Sequence, residues 1–207
     1  MADSAYKYDE GESIKGIPPL NEVKWTYKDY KDWDLEPGIR VELIHGIVYA
    51  MAAPNTLHQR ISMILSGELY YFFKGKTCQS FTAPYDVRLF YQEDESDDTV
   101  VQPDIIIVCD PNKLGKEGCR DAPDAVIEIL SSSNTAMEMD RKKNLYLKAG
   151  VPELWIVNPE LQQVEINIIE NGRYIPYVFR LGDVLRSFKF TDFELAVDVL
   201  FAEMNAL

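Results

Sequence analysis

Three charged residues stand where an apolar core belongs, and their types are the ones that metal-assisted hydrolysis uses. Asp104 opens the run Ile105-Ile106-Ile107-Val108, directly after Pro103. Glu128 interrupts Val126-Ile127-Glu128-Ile129-Leu130. Lys142 falls on the stripe Met139, Lys142, Tyr146, Ala149, and residues three and four apart share one face of a helix. Burying an unpaired charge is costly, so such placements tend to mark functional sites. Two carboxylates and one ammonium group brought together would offer hard oxygen ligands to Mg²⁺ (or Mn²⁺) and a fixed cation for developing charge. That is the equipment of phosphodiester hydrolysis.

Alone, each residue also admits a plainer role. Asp104 fits a strand-edge aspartate in water, and Glu128 a strand-end glutamate paired with an arginine. Lys142 fits a lysine whose stem packs while its head reaches solvent. The elements that must hold them argue for convergence. Val100–Val108 is nearly continuous in β-branched residues and predicts one buried strand, with Pro103 at its start or at a bulge. Asp124–Leu130 predicts a second buried strand, with Glu128 on the face of Val126 and Leu130. Successive strands tend to be neighbours. Ser131–Asn134 leads into a helix capped by Thr135 with Glu138 and stopped by Gly150. That helix packs back near the strand end that carries Glu128.

The rest of the chain predicts a scaffold around this pair. Thr26–Trp33 reads as a short helix, and Arg40–Met51 as a hairpin turning at His45-Gly46. Thr56 with Gln59 resembles a capping box that opens a helix with the stripe Leu57, Ile61, Ile64, Leu65, Leu69 and Phe72, ending near Gly75. Cys78–Phe90 reads as a strand, with Pro84 marking an edge or bulge. Residues 92–98 form an acidic loop and Pro111–Asp121 another loop. Leu154–Val157 is a third strand, and Val164–Ile169 with Tyr174–Phe179 make a hairpin across Asn171-Gly172. Phe188–Phe201 is apolar enough to cap the sheet or to join an interface. The expected class is α/β (α+β): one mixed central sheet flanked by two main helices, with a C-terminal β-hairpin. Residues 1–20 read as a flexible arm ending at Pro18-Pro19, and 21–207 as a single domain.

Composition sets the outer bounds. The 207 residues are 46% hydrophobic, which suits one well-buried domain. No run approaches the ~18–20 apolar residues of a membrane span, and the start lacks a secretory pattern; a cytoplasmic location is expected. Cys78, Cys109 and Cys119 are odd in number and form no CxxC pair, which predicts three separate thiols and neither a disulfide framework nor a zinc site. Net charge is −13, from 34 acidic and 21 basic residues. Nucleic-acid binders usually carry a basic footprint, so any such surface here must be local.

Four strings resemble the Uma-two family of restriction-endonuclease-like proteins: Val41 to Gly46 (VELIHG), Val101 to Asp104 (VQPD), Ile127 to Ser131 (IEILS), and Lys142 to Ile156 (KKNLYLKAGVPELWI). The similarity runs from about Trp33 to Phe201 with its motifs in order. It implies a restriction endonuclease-like core of the PD-(D/E)XK superfamily and a metal-dependent endonuclease acting on DNA. By motif, Asp104 is the aspartate of PD, Glu128 the acid of (D/E)XK, and Glu42 the earlier glutamate of such sites. Asp104 and Glu128 are the implied Mg (or Mn) ligands. Leu130 stands where the motif's lysine would be, and the resemblance moves that role to Lys142.

His58 and Gln102 are further candidates, for substrate binding; a satisfied core histidine and a structural amide are the plainer readings. Asp86 is expected to pair with Arg88 on its own strand face. A homodimer is expected by analogy, because paired sites cut both strands of a duplex most simply. The alternative function is a catalytically inactive nuclease-fold protein that binds nucleic acid or a protein partner. A third is a phosphodiesterase acting on a smaller substrate.

Overall fold

Alternating apolar side chains fill both faces of one sheet, and that pattern organises everything else. The structure, a computed structural model, describes residues 24–131 and 135–202. In chain order the elements begin with α1 (Tyr27–Tyr30), β1 (Val41–Ile44), β2 (Ile47–Ala50), α2 (Thr56–Phe73), β3 (Gln79–Thr82) and β4 (Val87–Arg88). There follow β5 (Val100–Val101), β6 (Ile105–Val108), β7 (Leu114–Gly115), β8 (Gly118–Arg120), β9 (Ala125–Ile129) and α3 (Ala136–Ala149). The chain continues through β10 (Glu153–Asn158), β11 (Gln163–Glu170), β12 (Arg173–Arg180), β13 (Val184–Arg186), β14 (Glu194–Ala196) and α4 (Val197–Phe201).

The central sheet has the order β12-β11-β10-β9-β6-β3. It is mixed: β9 and β10 run parallel, joined by the α3 crossover, and the other neighbours are antiparallel. Along β9, Ala125, Ile127 and Ile129 pack on one face with Ile61, Leu65 and Leu69 of α2 and with the C-terminal segment. Val126 packs on the other face with Leu145 and Tyr146 of α3. Each valine, leucine or isoleucine among them, fully withdrawn from water, stabilises the fold by about 1.5–3 kcal/mol. Glu128 belongs to the second face, that of α3, as the alternation predicts.

Several expectations change in detail. The chain builds a second sheet, β2-β1-β5-β4-β8-β7, and a small β13-β14 pair, where the sequence predicts one sheet. The run Val100–Val108 is two strands in different sheets, β5 and β6, because Gln102-Pro103-Asp104 leaves the ladder. Proline has no N–H to offer it. Cys78–Phe90 divides the same way at Pro84, with β3 in the central sheet and β4 in the second. Pro111–Asp121, expected to be loop, contains the β7–β8 hairpin. The cap of α2 is Asn55, whose side chain accepts from the His58 N–H, one residue before the expected Thr56.

Cys78 and Cys109 are bonded as a disulfide, while Cys119 is free and buried. The sequence reading of three thiols is thus corrected. The pairing follows from register, since Gln79 lies opposite Val108 and the two cysteines are the next residues outward. Arg88 pairs with Asp97 rather than with Asp86.

Both predicted hairpins are present. β1 and β2 turn at His45-Gly46, with φ of 51° and 79°, and β11 and β12 at Asn171-Gly172, with φ of 50° and 76°. Two successive positive φ values are the mark of the tight turn that matches strand twist. A side chain on Gly46 would also meet Lys24, 2.9 Å from its Cβ. Thr135 caps α3 by accepting from the Glu138 N–H, and Gly150 ends it at φ 82°. The predicted N-terminal arm, 1–20, lies outside the described residues, as do positions 132–134 of the predicted lead-in to α3. Among the described residues no helix is long and apolar enough to cross a membrane.

Candidate active site

The chain passes from the second sheet to the central one at Gln102-Pro103-Asp104, and a cleft of about 110 Å³ lies beside Asp104. Asp104 sits at the root of β6. Because Ile105 lies opposite Ile127 on β9, Asp104 reaches the end of β9 where Glu128 stands. Its Oδ2 accepts the Ile129 N–H at 2.7 Å. Glu42 comes from the second sheet: β1 lies beside β5, and Glu42 Oε1 accepts the Gln102 N–H at 3.1 Å. Lys142 descends from α3.

These side chains meet. Lys142 Nζ is 3.1 Å from Glu128 Oε1 and 3.1 Å from Glu42 Oε1. Tyr146, one turn along α3, donates to Glu128 Oε1 at 2.5 Å. His58 arrives from the first turn of α2, with Nε2 3.1 Å from Asp104 Oδ1. Glu42, His58, Asp104, Glu128 and Lys142 all line the one cleft. Glu42, Glu128 and Lys142 are buried, at 4%, 6% and 7% exposed, so their charges act on one another with little screening.

The electrostatics show a surplus of negative charge. Burial, with the Asp104 and Glu42 carboxylates nearby, pushes the Glu128 carboxyl up to about 7 against the opposing pull of Lys142 and the Tyr146 hydroxyl. For Lys142, burial works against the ammonium, but Glu128 and Glu42 outweigh it and hold the group protonated well above the ordinary lysine range. Burial and Glu128 raise the Tyr146 hydroxyl too, so it stays a donor. Three carboxylates around a single ammonium form a cluster that another cation would relieve.

The donor set suits a small hard cation. Among the described residues no three His, Cys, Asp or Glu side chains are grouped to hold an ion by themselves. Mg²⁺ does not need such a cage, since it commonly binds one or two carboxylates and fills its octahedron with water and substrate phosphate. The oxygens of Asp104 and Glu128 fit that mode.

Gln102 stands apart from the cleft. Its amide nitrogen donates to Asp86 (2.8 Å) and to the Tyr30 hydroxyl (3.3 Å), and its oxygen accepts from Arg40 Nε (2.9 Å). Burial holds the Asp86 carboxyl above its usual range, opposed by the Gln102 and Tyr30 hydrogen bonds. Three further residues that face the site give little signal in the sequence. Tyr146 was visible only as a member of the Lys142 stripe, and Arg40 lies two residues before Glu42 on the same alternation. Arg141 gave no signal.

Comparison with known proteins agrees with this architecture. A family model described as "Uma2: Putative restriction endonuclease" matches residues 27–199. An uncharacterized protein of Synechocystis sp. is 24% identical over 181 residues, covering 86% of this chain and 92% of that one. The crystal structure of "a putative nuclease belonging to DUF820" from Anabaena variabilis superposes with a TM-score of 0.70 at 20% identity, covering 86% of this chain and 98% of the other. At that identity the likeness is one of fold.

Proposed function

This chain belongs to the Uma2 family of restriction-endonuclease-like proteins, and from that premise we propose that it is a metal-dependent endonuclease that hydrolyses phosphodiester bonds in DNA. The observation that carries the proposal is the meeting of Glu42, Asp104 and Glu128 with Lys142 at one cleft between two sheets. Asp104 and Glu128 would hold Mg²⁺ (or Mn²⁺). When bound, the ion supplies charge neutralisation for phosphate and acidifies water.

The chain's own groups have separable tasks. Lys142, kept protonated by its two carboxylates, offers a fixed positive charge to the phosphate as negative charge builds on its oxygens. Glu42 positions Lys142, and the Ile129 N–H and Tyr146 hydroxyl hold Asp104 and Glu128 at their stations. His58 lines the cleft and leans on Asp104 through Nε2, a position from which it would meet substrate. Gln102, set behind the wall, acts through Glu42 and Arg40 rather than on the substrate.

Residues 21–207 act as one domain in this proposal. It works in the cytoplasm as a homodimer whose paired sites face the two strands of a duplex. Nicking of supercoiled plasmid tests the activity. Wild type should relax the plasmid with Mg²⁺ or Mn²⁺ and not with EDTA, and Asp104→Asn, Glu128→Gln and Lys142→Ala should each abolish nicking. A wild type that binds DNA yet never nicks it with either ion would instead support an inactive nuclease-fold binder, the reading that the net charge of −13 and Leu130 in place of the motif's lysine favour.

A further inference from the structure

Two guanidinium groups line the carboxylate cleft with a donor nitrogen unspent. Arg40 Nη2 and Arg141 Nε are both buried, and neither has a hydrogen-bond partner among the described residues. Guanidinium remains charged at any working pH, and a buried donor left unmet is destabilising. Such donors persist where a ligand completes them.

Each group is held in place by a neighbour. Arg40 is two residues from Glu42 and so shares its face of the strand alternation. Its Nε is fixed on Gln102 Oε1 at 2.9 Å, and Gln102 is fixed in turn by Asp86 and Tyr30. Arg141 precedes Lys142 on α3, and its Cζ lies 4.1 Å from the ring centroid of Tyr49. Tyr49 is paired in register with Glu42, so ring and carboxylate share one face of the β1–β2 hairpin. The connection from β2 to α2 lines the cleft with the small residues Ala50, Ala52, Ala53 and Pro54, while α3 adds Met139 and the carboxylate of Glu138. A planar fork that is already oriented loses little freedom on binding, and it matches the paired oxygens of a phosphate.

We infer that Arg40 and Arg141 form a phosphate clamp, gripping non-bridging oxygens of the nucleic-acid strand that lies across the Asp104–Glu128 site. The inference rests on the nuclease reading for the identity of the strand. The two arginines are a local contact and not a basic field, since Glu42, Asp104, Glu128 and Glu138 line the same cleft and Lys142 is paired with two of them. Gln102 gains a purpose as well: it sets the Arg40 fork and, through its backbone N–H, the Glu42 carboxylate.

The test is equilibrium binding of a short fluorescein-labelled DNA duplex to the full chain, by anisotropy, in EDTA so that no cleavage occurs, across a series of salt concentrations. Arg40→Gln and Arg141→Gln should each weaken binding about tenfold and lower the slope of log K against log salt by about one. Arg40→Lys and Arg141→Lys keep the charge and lose the fork; they should keep the wild-type slope while still losing affinity. Thermal melts of the four variants monitor folding, and the lysine pair keeps the test decisive where the glutamine pair unfolds. Unchanged affinity and slope in the glutamine variants would overturn the clamp. So would a loss of affinity with an unchanged slope in those variants, which would make the arginines supports of the wall. If wild type binds and nicks while the variants keep its slope, the clamp alone fails. If wild type does not bind the duplex in EDTA the clamp fails, and plasmid nicking with Mg²⁺ or Mn²⁺ decides the nuclease reading separately.

Discussion

Glu128→Gln should make the metal-free protein more stable at neutral and alkaline pH while removing its activity. The Glu128 carboxyl is 6% exposed and crowded by Asp104 from the root of β6 and Glu42 from β1, with Lys142 and Tyr146 of α3 as its donors. Its pKa rises from the ordinary 4.5 to about 7 in the fold. A carboxyl whose folded pKa is raised favours the folded state when protonated. Its contribution is therefore complete below about 4.5 and lost as the pH climbs through about 7. At 1.36 kcal/mol per unit, the loss across that window is roughly 3 kcal/mol. For a chain of this length that is a melting shift of about 6–12 °C. Glutamine keeps the volume and can still accept from Lys142 and Tyr146, but carries no charge to desolvate. Melting wild type and variant in EDTA from acid to alkaline pH, and subtracting the two curves, isolates the residue, since every other side chain is common to both. The variant should gain on wild type as pH rises between about 4.5 and about 7. A flat difference would refute the reasoning, because it would mean that Glu128 feels no surplus of negative charge.

Other expectations follow from the same contacts. Lys142→Met should leave Glu42 and Glu128 buried without their ammonium and cost about 3–5 kcal/mol, read by urea unfolding at neutral pH, with part of the loss recovered in acid as Glu128 takes a proton. Glu153 accepts from Trp155 Nε1, the Ser187 hydroxyl and the N–H groups of Phe188 and Lys189; Glu153→Ala should orphan all four and cost about 3 kcal/mol or more, with the urea midpoint as the measure. Cys78→Ser should cost about 3–4 kcal/mol in oxidising buffer, given the 31-residue separation of the bridge, and next to nothing in dithiothreitol.

Much of the site was legible because burial and charge conflict openly in the sequence. A glutamate inside Val-Ile-Glu-Ile-Leu and a lysine on an apolar helix stripe violate the pattern that surrounds them, and both are buried in the same cluster. The hairpins were legible through His45-Gly46 and Asn171-Gly172, whose positive φ values few other pairs accept. The second sheet was not. Its strands β4, β5, β7 and β8 are two or three residues long, too short for a period to register, and prolines that looked like blemishes in long strands in fact move the chain from one sheet to the other. The disulfide was hidden for a related reason, since cross-strand register is a tertiary fact that cysteine spacing does not contain. Arg141 was invisible because a charged residue on a helix is the ordinary case until its neighbour proves to be a tyrosine from another element.

The most direct measurement is a Mn²⁺ soak of crystals with data collected for the anomalous signal of manganese. The account predicts a single strong peak within bonding distance of both Asp104 and Glu128, at the cleft where Glu42 and Lys142 also meet, and its disappearance in crystals of Asp104→Asn. Wild-type crystals that show no peak there, with Glu128 still bound to Lys142 and Asp104 still bound to His58, would contradict it.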